Sequence, residues 1–142
     1  MALGAAPGAG VDELVALHSA ALADSERVVL VAERDGEIVG MAHLAPSTAA
    51  NAAHRAEVQR VAVSESARGA GVGGELMAAI EDAALERELT LLWLTTHDGT
   101  PACAFYEAVG YTKLGTMPSY SFRPDGTLAP GAFYYKELRR SS

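Results

Sequence analysis

The sequence predicts an α/β fold, a mixed sheet with helices on its faces, and three observations make the case. An apolar run from Val58 to Val63 reads as a strand; a glycine-rich turn follows, and then Val72, Leu76, Met77, Ile80 and Ala84 recur at helical spacing. Two more strand-like runs, residues 28–33 and 37–43, meet at Asp35-Gly36. Asp-Gly between such runs signals a tight hairpin, because both central positions need positive φ. Toward the C-terminus, residues 89–96 are largely apolar, as in a strand buried on both faces, and a helical segment with clear start and stop signals comes next.

In chain order, residues 1–10 are rich in Ala and Gly and are expected to be disordered. Residues 11–23 place Val11, Leu14, Val15, Leu17 and Leu22 among polar residues, with Asp12 and Glu13 in front, which predicts a short amphipathic helix. The hairpin follows, then a Ser/Ala/Asn-rich loop over 46–54. The central strand and its helix run to about 86–88, and the apolar strand comes next. Thr100 suits the N-cap and Pro101 the first position of a second helix, and Gly110 suits its C′ end. Tyr111 to Gly115 begins another strand, Pro124-Asp-Gly126 marks a turn, and residues 132–138 close the sheet. The order α-β-β-β-α-β-α-β-β contains no repeat and no linker, so the 142 residues are expected to form one domain.

Composition narrows the function. The chain is 49% hydrophobic and 20% charged, which suits a globular protein. It has no apolar run of about 18 residues and no basic start of a signal peptide, so neither a membrane span nor export is expected. One cysteine fits a reducing cytoplasm. A net charge of −7 argues against a nucleic-acid partner and is compatible with a cationic small substrate. The histidines lack metal-ligand spacing, so no metal is expected.

The glycine turn is where chemistry is expected. A strand feeding a glycine-rich turn into a helix N-terminus makes an anion cradle, because the first-turn N–H groups have no intrahelical partner and carry partial positive charge. Gly69, Gly71 and Gly73 permit positive φ and close approach of a ligand. Arg68 can close the site as a forked phosphate donor. Gly69, Gly71 and Gly74 also satisfy a dinucleotide-binding pattern, but the acid needed about 20 residues on would fall in the apolar strand. A phosphate-binding P-loop would need Gly-Lys-Ser/Thr, which is absent.

Arg68-Gly-Ala-Gly71-Val-Gly73, with Glu57-Val-Gln-Arg-Val-Ala-Val63 before it and Ala104-Phe-Tyr106-Glu-Ala-Val-Gly110-Tyr111 after it, resembles the GCN5-related N-acetyltransferases from about residue 27 to the C-terminus. Glu57-Val-Gln-Arg, Ser66-Ala-Arg-Gly and the tail from Arg123 to Lys136 look most like the tabtoxin-resistance acetyltransferases within that family. The resemblance implies the acyl-CoA N-acyltransferase fold with a shortened N-terminus, since few residues precede the hairpin where the family has a first strand and two helices. A missing strand would leave a sheet edge open, and open edges are normally paired or covered, so a homodimer is expected.

The resemblance also implies acetyl-CoA as co-substrate and assigns roles. It puts the pyrophosphate on the amides of Arg68, Gly69, Ala70, Gly71, Val72, Gly73 and Gly74, with Phe105 beside the coenzyme. It lays the pantetheine along Val61, Ala62 and Val63, and a backbone N–H near Val61 or Ala62 would face the reacting carbonyl. Glu57 would be the general base, acting through a water, and Tyr106 the acid that protonates the leaving thiolate. Gln59, Thr95 and Tyr120 would contact the acceptor, a small molecule bearing an amine or hydroxyl, with an antibiotic or toxin suggested. Thr95 stands where the tabtoxin-resistance enzymes have an aspartate. Glu57 pairing with Arg55 or Arg60 at a surface is the competing structural reading. A non-catalytic acyl-CoA-binding module and an acetyltransferase acting on protein or tRNA stay open as alternatives. Cys103 has no evident histidine partner and reads as packing.

Overall fold

The computed structural model describes residues 13–19, 27–69 and 71–139. The expectation for residues 1–10 lies outside them. Among the described residues seven strands form one sheet: β1 Glu13–Ser19, β2 Arg27–Arg34, β3 Glu37–Pro46, β4 Arg55–Val63, β5 Leu91–His97, β6 Thr112–Phe122 and β7 Leu128–Glu137, and two α-helices, α1 Val72–Glu86 and α2 Pro101–Ala108, connect the middle strands. The strand order is β1-β2-β3-β4-β5-β7-β6, and every neighbouring pair is antiparallel except β4 and β5. This is the mixed α/β fold that the sequence predicts.

The front of the chain departs from expectation. Within residues 11–23 the described part, Glu13–Ser19, is a strand that pairs antiparallel along β2, not an amphipathic helix. Seven apolar-rich residues fit either period, and the open hydrogen-bonding edge of β2 decides between them. The expected absence of a first strand is corrected with it: the chain supplies that strand itself, and only residues 20–26 separate it from β2.

Local chemistry accounts for the other elements. Asp35 and Gly36 both take positive φ, 54° and 82°, in the β2–β3 turn. Gly71, at φ 82°, is the N-cap of α1. Thr100 stands at the N-cap of α2 as expected, but its hydroxyl donates to the His97 carbonyl oxygen and caps no helix amide. At the other end Gly110 (φ 100°) lets Tyr111 N–H donate to Tyr106 O and Gly110 N–H to Glu107 O, which satisfies the last carbonyls of α2.

The core lies between the sheet and α1. Val72, Leu76, Met77, Ile80 and Ala84 are buried with Val28, Leu30, Ala42, Leu44 and Val58 from β2, β3 and β4. Gly40 makes this contact possible, because a Cβ there would stand 2.8 Å from Leu76 Cδ1. Gly73 does the same between the helices, where a Cβ would meet the Phe105 ring at 3.0 Å.

Candidate active site

Strands β4 and β5 run side by side for only three residue pairs, Arg55 with Leu91, Ala56 with Leu92 and Glu57 with Trp93. Beyond Glu57, the β5-facing edge of β4 has no strand partner among the described residues. The strands part into a cleft of about 460 Å³, lined by Glu57, Val58, Gln59, Arg60, Val61, Thr95, Thr96 and Tyr106. A bulge shapes the β4 wall. Met41 and His43 on β3 face Ala62 and Gln59 on β4, so the one residue between them on β3 stands opposite two on β4, and Arg60 takes up the extra one at φ 53°. Val61 and Val63 consequently pack toward the core although Val58 is also buried there.

The structure gathers several of the expected residues at this cleft. Glu57 is bonded neither to Arg55 nor to Arg60; its Oε1 accepts from Gln59 Nε2 at 2.8 Å. Thr95 Oγ1 lies 3.2 Å from the Tyr120 hydroxyl. Tyr120 reaches it by lying over β7, edge-on to Phe133 with ring centroids 5.3 Å apart. Only glycine at 131 allows this, since a Cβ would come within 2.6 Å of the Tyr120 ring. Tyr106, from α2, closes the cleft floor and is 8% exposed. Burial holds its phenol above the ordinary value, so it stays protonated at neutral pH. Its ring sits among Phe105, Tyr111 and Tyr134.

The glycine turn forms beside the cleft. Gly69 and Gly71 both take φ 82°. The first α1 residue to bond within the helix turn is Glu75, whose N–H donates to Gly71 O, which leaves the amides of Val72, Gly73 and Gly74 facing outward. Arg68 Nε donates to Val63 O at 3.3 Å, which ties the guanidinium to the end of β4. Gly74 has open space where a side chain would stand. Gly73 does not; its missing Cβ is filled by Phe105, so both residues form the α1–α2 contact. Ala70 lies outside the described residues.

His97, Asp98 and Cys103 follow Thr96 in the chain but are not among the residues that line the cleft. His97 Nε2 is 2.7 Å from Ser121 Oγ. Lys113 Nζ donates to Asp98 at 2.8 Å, and this bond holds the Asp98 carboxyl below its ordinary range. Cys103 Sγ contacts the His97 carbonyl at 3.5 Å. Sequence reasoning missed Val58, Arg60 and Thr96 as lining residues. No signal marked Arg60, because its place depends on a bulge that no local motif encodes.

The model of the acetyltransferase (GNAT) family matches residues 5–111. The Uncharacterized N-acetyltransferase YhfO of Bacillus subtilis (strain 168) is 34% identical over 100 residues, 69% of this chain and 67% of that one. The ribosomal-protein-alanine N-acetyltransferase from Brucella melitensis is 32% identical, with a TM-score of 0.71 over 79% of this chain and 69% of its own. The protein yncA from Salmonella typhimurium, solved with its cofactor acetyl-CoA, shares the fold at 20% identity, with a TM-score of 0.71 over 82% of this chain and 67% of its own.

Proposed function

The chain belongs to the acetyltransferase (GNAT) family, and on that premise we propose that it moves an acetyl group from acetyl-CoA to an amine or hydroxyl of a small molecule by direct attack. The observation that carries the reading is the parting of β4 and β5 beside the glycine turn. A cleft with an unpaired strand edge on one wall suits a pantetheine arm, whose amides can bond to backbone as an added strand would. The outward amides of α1, the positive-φ glycines and Arg68 suit its pyrophosphate. The residues present therefore fit acetyl-CoA, which would supply a thioester carbonyl open to attack.

The chain's own groups then have distinct tasks. Glu57, oriented by Gln59, takes the proton of the acceptor through a water. A backbone N–H near Val61 or Ala62 donates to the carbonyl oxygen as charge builds on it. Tyr106, held neutral by burial, gives a proton to the departing sulfur. Thr95 and Tyr120 wall the acceptor side. An antibiotic or toxin as acceptor is suggested by the stretches around Glu57 and Arg123. The likeness to a ribosomal-protein-alanine enzyme supports a protein α-amine as a second acceptor class. A cytoplasmic setting and a homodimer complete the reading.

Two variants test the roles once an amine screen, followed by free thiol release, has supplied an acceptor. Tyr106→Phe should keep coenzyme affinity and lose turnover by about 10²-fold. Glu57→Gln should also be slow, but should partly recover as pH rises and the acceptor amine deprotonates in solution. Wild-type rates in Tyr106→Phe, or a deficit in Glu57→Gln that is flat across pH, would show these roles to be wrong. Coenzyme binding with no turnover of any amine or hydroxyl would leave a binding module.

A further inference from the structure

On the sheet face that carries Glu57 and Gln59, a second pocket adjoins the cleft. It holds about 440 Å³ and is lined by Arg27, Val29, Met41, His43, Arg60, Val61 and Ala62. Arg60 and Val61 line both cavities, so the two meet at the bulge. The register places Val29, His43 and Gln59 side by side across β2, β3 and β4. The pocket therefore begins one strand beyond the residue that holds Glu57.

Arg27 Nε and both ring nitrogens of His43 are buried and have no hydrogen-bond partner among the described residues. Buried polar groups are nearly always paired, so three orphaned nitrogens on two residues that line one cavity leave room for a ligand group that accepts hydrogen bonds from these side chains. The sign of that group follows from the charges. Two guanidiniums approach the cavity, and among the described residues no carboxylate forms an ion pair with either. Glu57, on the same face, is already engaged by Gln59. Among the described residues the pocket lining is thus positive although the whole chain carries −7, and a substrate with cationic charge alone does not match it.

We propose that the acceptor is an amine that also carries an anionic group, a carboxylate or phosphate, and that Arg27, His43 and Arg60 hold that anion. Arginine forks suit either group, and a neutral imidazole adds one N–H. One to two strand spacings separate Glu57 from the pocket, which puts the anion about 5–10 Å from the reacting nitrogen. The inference rests on the acetyl-transfer reading for its reaction and on the pocket for its specificity.

Calorimetric titration without coenzyme separates the two. The probes are 5-aminopentanoate and 3-aminopropyl phosphate, each matched against pentylamine and 5-aminopentan-1-ol. At least one anionic probe should bind the wild type more tightly than its uncharged-tail matches, and its phosphate or carboxylate tells which anion the pocket prefers. Arg27→Gln should weaken that binding by about tenfold or more, as should Arg60→Gln, which changes an exposed side chain and keeps the test usable if Arg27→Gln does not fold. Equal binding of charged and neutral tails, or no binding of any anionic probe, overturns the proposal. Anion binding in a protein that acetylates nothing would sustain the pocket and refute the acetyl-transfer reading. Acetylation of pentylamine as efficiently as of the anionic amines would do the reverse.

Discussion

Single residues at this site act by what they leave out or leave unpaired. Gly131 has no side chain so that Tyr120 can lie across β7 and reach Thr95. Gly131→Ala should push the Tyr120 ring off its place, because a Cβ at 2.6 Å cannot be tolerated. The expected outcome is a severalfold higher KM for the acceptor with KM for acetyl-CoA unchanged, read from steady-state kinetics, and a stability loss of about 1–3 kcal/mol. An unchanged acceptor KM would remove Tyr120 from the site wall. His43 offers a different measurement. Burial, then the charges of Arg27 and Arg60, hold its imidazole below the ordinary 6.5. The unfolded chain therefore takes up the proton first as pH falls, so the stability tied to His43 is present above that value and is lost below it. His43→Gln should flatten the fall of Tm between about pH 7 and about pH 5. A parallel profile for variant and wild type would mean that this imidazole stays solvated.

At the scale of elements, the fit of α1 on the sheet depends on Gly40. Gly40→Ala would drive a methyl group to 2.8 Å from Leu76 Cδ1 and 3.1 Å from Val72 Cγ1. We expect a loss of about 1–3 kcal/mol by denaturant unfolding. Leu76→Ala added to it should cost less than the sum of the two single changes, since it opens the space that the new methyl needs; strict additivity would show that the helix simply shifts. Much of this layer was legible in the chain. The Asp35-Gly36 hairpin, the Val72-to-Ala84 stripe, Pro101 and Gly110 each carry their geometry in local chemistry, and each stands where periodicity and turn residues put it. The first strand was not legible, because a seven-residue apolar segment acquires its conformation from the edge it meets. The bulge at Arg60 and the fold-back of Tyr120 were hidden for the same reason, as both are settled by a neighbouring strand. Glu57, Gln59, Thr95 and Tyr106 could be named from motif resemblance. The group Arg27, His43 and Arg60 could not, since three strands bring together residues that share no motif.

For the whole molecule, β1 removes the original reason to expect a dimer, because it occupies the edge of β2. The apolar surface lies at the other end, where Leu114 and Phe122 of β6 are 67% and 70% exposed. Pro118 and the positive φ of Ser119 interrupt that edge as a template for strand pairing, so a homodimer would join through side chains. Light scattering at micromolar concentration should give twice the chain mass, and Leu114→Lys with Phe122→Lys should give the single mass; a monomeric wild type would refute it. The short parallel seam has a larger implication. Strands β1–β4 and β5–β7 are two half-sheets whose backbone pairing, among the described residues, is limited to Arg55–Glu57 with Leu91–Trp93, and the helices tie them elsewhere, through Phe105 against Gly73 and through Lys136 Nζ donating to Glu81. A molecule lodged in the gap would touch both half-sheets at once, and because it binds only the folded chain it would, at free concentration c, raise the unfolding free energy by RT ln(1 + c/Kd), so the rise of Tm with coenzyme concentration is a second way to read its affinity.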